Sequence, residues 1–171
     1  PGITSGLWGG TFHHVANRLL RKFGNRIGYP PDFTILDSDD QKSLMGQCIK
    51  DAGFTAKNFP KREVVLGLFS GAVNRGIAFD DFLEQKSDNY EVAPDSIIKV
   101  TNAYTRRKFE LHAMDFDDLL FQALALMKEH DEVRTYYQTR FKHVLVDEYQ
   151  DTNTLQSEFV DILAAKHKNL S

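Results

Sequence analysis

Apolar residues first fall into register at Phe12, Val15, Ala16, Leu19, Leu20 and Phe23, a spacing of three and four that predicts a helix. Just before it, the short β-prone run Leu7-Trp8-Gly9-Gly10-Thr11-Phe12 reads as a strand, so the chain opens as strand, turn, helix. Gly24, Gly28 and Tyr29-Pro30-Pro31 end that helix, since glycine tolerates a left-handed cap and proline cannot extend the turn. Ser38 with Gln41 forms a capping-box pattern, and Leu44, Met45, Cys48, Ile49 and Ala52 then share one face up to Gly53. Further helices are expected over 61–74, where Gly67 and Gly71 weaken the pattern, and over 79–85.

From Pro94, suited to a first helical turn, Ile97, Val100, Tyr104 and Leu111 are expected inward and Lys99, Arg106, Arg107 and Lys108 outward. Phe116, Leu119, Leu120, Ala123, Leu124 and Met127 define the next helix with Asp115 near its start, and 133–141 one more. The pattern changes at Lys142-His143-Val144-Leu145-Val146-Asp147, a β-branched run that reads as a buried parallel strand with carboxylates at its C-terminal edge. Leu155, Phe159, Ile162 and Leu163 close the chain as a helix that Thr152 or Asn153 can cap. The expected fold is therefore mainly α with a small parallel β element. A helical insertion, from about Gly24 to Arg140, lies between pieces of an α/β domain.

The 171 residues, 42% of them hydrophobic, are enough for one ordinary core. A formal charge of -3, from 21 basic and 24 acidic residues, provides no global positive field, so any nucleic-acid contact has to come from a local patch. The single cysteine, Cys48, excludes an intrachain disulfide and sits among apolar neighbours as a small buried hydrophobe. No apolar stretch approaches the roughly 18 residues of a membrane span, and PGITSGLWGG has neither a basic nor an apolar leader region. The expected compartment is the cytoplasm, with no membrane partner.

Val144-Leu145-Val146-Asp147-Glu148 has the Walker B arrangement, an apolar strand delivering two adjacent carboxylates to the sheet edge where open α/β folds bind nucleotides. An aspartate at the strand end can hold Mg²⁺, and the next carboxylate can orient and deprotonate a water that attacks a γ-phosphate. On these five residues alone, a strand that simply ends in solvated acids reads as well. At the other end, Thr11 and His13 can donate hydrogen bonds to phosphate oxygens from a helix N-terminus. Arg18, Arg21, Lys22 and Arg26 either follow phosphates or form the wet face of their helix. The pair His13-His14 lacks the companion ligands of a metal site, and the acids Asp115, Asp117 and Asp118 suit helix capping and the helix dipole better than a metal.

The longer run VDEYQDTNTLQ resembles motif II of the UvrD/Rep/PcrA superfamily 1 DNA helicases. The run from Gly10 to Arg21 resembles their motif Ib, and MDFDDLL resembles the segment ahead of motif II. These matches, with ILDSDDQ between them, occur in the family's order along nearly the whole chain. The resemblance implies Asp147 for the Mg²⁺ of Mg-ATP, Glu148 as the catalytic residue that activates water, and Gln150 and Asp151 for coupling to the nucleotide state. Helix-entry capping is the competing account of Gln150 and Asp151. Tyr149 keeps the aromatic packing position. It further implies single-stranded DNA contacts at Thr11, Phe12, His13 and Arg18, with His14 departing from the usual small residue.

In that reading residues 1–23 and 141–171 are parts of a RecA-like P-loop NTPase subdomain, 1A, and residues 24–140 are the helical insertion, 1B. The partners implied are ATP, single-stranded DNA, duplex junctions and the rest of the helicase chain. No G-x-x-x-x-G-K-[ST] loop occurs in the sequence, so the phosphate cradle is expected before Pro1, and the chain alone is expected to be inactive and to hold no cofactor tightly. The implied parent is an ATP-dependent 3′–5′ helicase of DNA repair or replication. Alternatives are a helicase-nuclease subunit, a non-catalytic DNA- or protein-binding module, and a metal-dependent nuclease using Asp147, Glu148 and Asp115 or Asp117.

Overall fold

The helical stripe that starts at Phe12 forms α1 (Phe12–Phe23), burying Ala16, Leu19 and Leu20, in a computed structural model that describes residues 7–55, 57–86 and 92–171. Residues 1–6, the start of the PGITSGLWGG stretch, lie outside that range. A 3₁₀ turn over Gly24–Ile27 follows α1 and ends at Gly28, whose φ of 87° is the left-handed cap that glycine provides.

The chain then builds β1 (Thr34–Ile35), α2 (Ser38–Asp51), α3 (Arg62–Arg75), α4 (Phe79–Glu84), α5 (Pro94–Glu110) and β2 (Ala113–Met114). It continues with α6 (Phe116–Glu129), α7 (Asp131–Arg140), a 3₁₀ turn over Tyr149–Asp151 and α8 (Thr154–Ala164). Two compact units result, one formed by Pro1–Asp32 with Asp118–Ser171, the other by Phe33–Asp117. The continuous unit spans fewer residues than the 24–140 assigned to the insertion from sequence.

In the continuous unit, α2, α3, α4 and α5 pack around Met45, Cys48, Val65, Phe82, Ile97, Val100 and Tyr104. Its only sheet among the described residues is a parallel pair, with Thr34 opposite Ala113 and Ile35 opposite Met114. The main-chain bonds Thr34 N–H to His112 O (3.0 Å) and Leu36 N–H to Met114 O (2.8 Å) extend the pairing. Cys48 is buried as expected, and burial pushes its thiol above the ordinary range against the opposing pull of Arg107.

Four expectations are corrected here. Asp37, not Ser38, caps α2, because its carboxylate accepts the amides of both Asp39 and Asp40 at 2.8 Å and complements the helix dipole. Lys108 is buried rather than outward, continuing the inward stripe four residues after Tyr104. Its ammonium lies 2.6 Å from the Asp115 carboxylate, which also accepts the Tyr104 hydroxyl at 3.0 Å. Leu111 is 61% exposed because the helix stops at Glu110 and the chain reverses at His112, whose φ is 48°. Phe116, expected inward on α6, is 50% exposed at its first turn.

The two strands expected near the ends are also corrected. Residues 7–11 form no strand, having no ladder partner among the described residues. The run 142–147 makes a single parallel bridge, Val144 with Leu170, carried by Val144 N–H to Asn169 O at 2.9 Å and Ser171 N–H to Val144 O at 3.1 Å. Leu145 is 79% exposed, so the segment is extended but not the buried strand its β-branched residues predicted.

The discontinuous unit buries Leu119, Leu120, Ala123, Leu124 and Met127 of α6 with Val133 and Tyr137 of α7 and Leu155, Phe159 and Leu163 of α8. α7 and α8 are tied by the Gln138 side-chain amide donating to Ile162 O at 2.7 Å. Tyr137 is fully buried among aromatic rings, and its hydroxyl has no hydrogen-bond partner. Burial, reinforced by Tyr136, pushes its phenol up to about 12.

An unpaired buried hydroxyl costs about 1–3 kcal/mol, so Tyr137→Phe is expected to raise stability by about 1 kcal/mol in denaturant titrations. The fold favours the neutral phenol, so this stability is fully present below the ordinary tyrosine pKa of about 10. It is lost as pH rises through about 12. The variant should lack that alkaline loss, and a destabilised Tyr137→Phe would show that the hydroxyl is satisfied.

Candidate nucleotide and nucleic-acid sites

The extended segment through Val144 and Val146 delivers Asp147 and Glu148 to the surface, where both are exposed. Neither carboxylate has an ion-pair or hydrogen-bond partner among the described residues. Unengaged oxygens of this kind suit a hard divalent cation, which takes oxygen ligands. Glu148 has φ 50° and ψ 46°, a left-handed backbone that a non-glycine residue adopts at a cost of about 1–2 kcal/mol. This turn directs the chain into the 3₁₀ turn holding Tyr149, Gln150 and Asp151, all exposed, with Tyr149 at 39%.

Support for the turn comes from behind it. The Thr152 hydroxyl donates to Tyr149 O at 2.7 Å and lies 2.7 Å from the Ser157 hydroxyl. Asn153 caps α8 in a reciprocal box with Gln156, its side chain accepting the Gln156 amide at 2.9 Å while Gln156 Oε1 accepts the Asn153 amide at 3.1 Å. Capping of α8 is therefore the work of Asn153, one of the two residues expected, and not of Gln150 or Asp151.

Thr11 caps α1, its hydroxyl accepting the His14 amide at 3.3 Å. Gly10 precedes it at φ 141°, and a Cβ there would come within 2.9 Å of the His14 ring, so the approach to the helix requires glycine. Thr11 and His14 are exposed, and Phe12 and His13 are half-buried.

The four basic side chains of this region are engaged within the unit. Arg21 donates to Pro31 O at 2.8 Å, and Lys22 donates to the Tyr136 hydroxyl at 2.6 Å. Arg26 pairs with Glu132. The Arg18 guanidinium carbon lies over the Trp8 ring, 3.9 Å from its centroid. The Lys22 hydrogen bond pulls the Tyr136 phenol below its ordinary value.

The acids of the DFDDLL segment have internal tasks. Asp115 receives Lys108 and Tyr104, and Asp117 accepts the Asn74 side-chain amide at 3.0 Å. Among the described residues, no group of three or more His, Cys, Asp and Glu is placed to hold a metal ion. An open concavity of about 790 Å³ lies on α7, lined by Asp131, Glu132, Thr135, Tyr136, Thr139 and Arg140 and by none of the motif residues. Among the described residues no helix is long and apolar enough to cross a membrane.

Sequence reasoning missed Trp8 and Lys108. The chain's single tryptophan, two residues before the Gly10–His13 turn, and the position of Lys108 in an apolar stripe were the available signals.

A family description, UvrD/REP helicase N-terminal domain, matches residues 3–171. Among curated relatives, the chain is 36% identical over 168 residues to an ATP-dependent DNA helicase PcrA of Staphylococcus aureus, covering 96% of this chain and 22% of the relative. It is 35% identical over 164 residues to the ATP-dependent DNA helicase PcrA of Staphylococcus epidermidis, with the same coverage of 96% and 22%. The chain thus spans about a fifth of the length of these relatives.

Proposed function

We infer the function from the family to which this chain belongs, the UvrD/REP helicase N-terminal domain. The chain is part of the motor of an ATP-dependent DNA helicase, which translocates 3′ to 5′ on single-stranded DNA and opens duplex at junctions in DNA repair or replication. The observation that carries this reading is the pair Asp147 and Glu148, exposed and unpartnered at the end of a parallel-bridged extended segment, within a family match over residues 3–171.

The pair divides the chemistry. Asp147, nearer the extended segment, would hold the Mg²⁺ that accompanies ATP, and Mg²⁺ would neutralise charge developing on the phosphates. Glu148 would accept the proton of the attacking water, a task for a carboxylate with unengaged oxygens. Gln150 and Asp151 would couple to the nucleotide state, a role supported by their exposure on the 3₁₀ turn that follows. Thr11, Phe12, His13 and Arg18 form the DNA-facing end, with the Thr11 hydroxyl and the first turn of α1 turned to phosphate. The continuous helical unit, Phe33–Asp117, falls within the proposed insertion, 24–140, and the proposed pieces of the RecA-like subdomain, 1–23 and 141–171, both fall in the discontinuous unit.

No phosphate-cradling loop of the form G-x-x-x-x-G-K-[ST] occurs in these 171 residues. The chain on its own is therefore expected to show no DNA-stimulated ATP turnover above a Glu148→Gln control. Phosphate release clearly above that control would sink the assignment of this segment as half a nucleotide site.

A further inference from the structure

We propose that Trp8 is a positioning residue that holds the Arg18 guanidinium in place as a phosphate fork for single-stranded DNA, an inference that rests on the nucleic-acid reading of the Thr11–His13 turn. Arg21, Lys22 and Arg26 spend hydrogen-bond donors on Pro31, Tyr136 and Glu132. Arg18 differs, because its partner is the face of a ring 3.9 Å away. A π face attracts the cation without taking a conventional hydrogen bond, and Arg18 has no hydrogen-bond or ion-pair partner among the described residues, so its five N–H groups are available to phosphate oxygens.

Position and rigidity favour the same role. Arg18 is exposed and lies seven residues after Thr11, two turns along the same helix face and about 10 Å away at the helical rise. Trp8 is itself fixed edge-on by Phe141 at 5.2 Å and Tyr137 at 5.6 Å between centroids. The braced ring therefore gives the guanidinium a fixed seat, which would lower the ordering cost of each phosphate contact.

The test measures binding of a fluorescent oligothymidylate to the chain by anisotropy over a salt series, with each variant's melting followed by circular dichroism. Arg18→Gln and Trp8→Leu should each weaken low-salt binding several-fold and lower the slope of log K against log salt by about 0.7, the value of one single-strand phosphate contact. Trp8→Phe, which keeps a π face, should restore both quantities. The double variant should bind no more weakly than Arg18→Gln, since the ring acts through the guanidinium.

Additive losses, an unchanged slope in Trp8→Leu, or a Trp8→Phe as weak as Trp8→Leu would overturn the proposal. Should Trp8→Leu not fold, Arg18→Lys decides: it keeps the charge without the flat fork, and wild-type binding by it defeats the idea. If Thr11→Val weakens binding and Arg18→Gln does not, only the fork falls. If the wild-type chain binds no oligonucleotide at low salt, the nucleic-acid reading itself fails.

Discussion

On the proposed function, exchanging Glu148 for glutamine in the full-length protein is expected to lower DNA-stimulated ATP turnover by a factor of about 10²–10⁴, the usual contribution of a positioned general base. The amide has nearly the same shape and can still touch a water, but it cannot take up the proton. Asp147, the proposed Mg²⁺ ligand, is left in place, so equilibrium ATP binding should change little. Steady-state turnover and a nucleotide titration on the same preparation separate the two effects. Wild-type turnover in the variant would remove Glu148 from the mechanism, and a parallel loss of ATP affinity would reassign it to binding.

Replacing Lys108 by methionine should destabilise the chain by about 3–5 kcal/mol, the cost of leaving one partner of a buried ion pair alone. The ammonium is 1% exposed and lies 2.6 Å from a carboxylate that is 6% exposed. Without it, Asp115 keeps the Tyr104 hydroxyl at 3.0 Å but loses its opposing charge. The melting temperature should fall by roughly 10 °C. Lys108→Met combined with Asp115→Leu should recover much of the loss, since no charge is then left buried. A single variant within about 0.5 kcal/mol of wild type, the range of an ordinary surface exchange, would mean that the pair is solvated in solution.

The longer helices were legible because they carry several turns of apolar residues at helical spacing, and α1 and α5 begin where the sequence predicts. Their ends were less so. Ser38 looked like the cap of α2, but Asp37 stands one residue earlier with a carboxylate able to take two amides. Residue type alone puts Lys108 outside, whereas its register four residues after Tyr104 points inward. The pairing of Thr34-Ile35 with Ala113-Met114 left no trace, since two residues are too few to alternate and their partners lie far apart in sequence.

The linear order of the carboxylates and the Gly10–His13 turn could be read directly. The left-handed backbone at Glu148 and the placement of Arg18 over Trp8 could not, because both depend on what the rest of the fold brings alongside.

Trp8 is the chain's single tryptophan, and it belongs to the discontinuous unit formed by Pro1–Asp32 and Asp118–Ser171. Its emission therefore reports one unit only, while far-ultraviolet circular dichroism sums the helices of both. If the chain unfolds in a single cooperative step, the two denaturation curves will coincide. Any separation between them measures the difference in stability between the two units, with no label introduced.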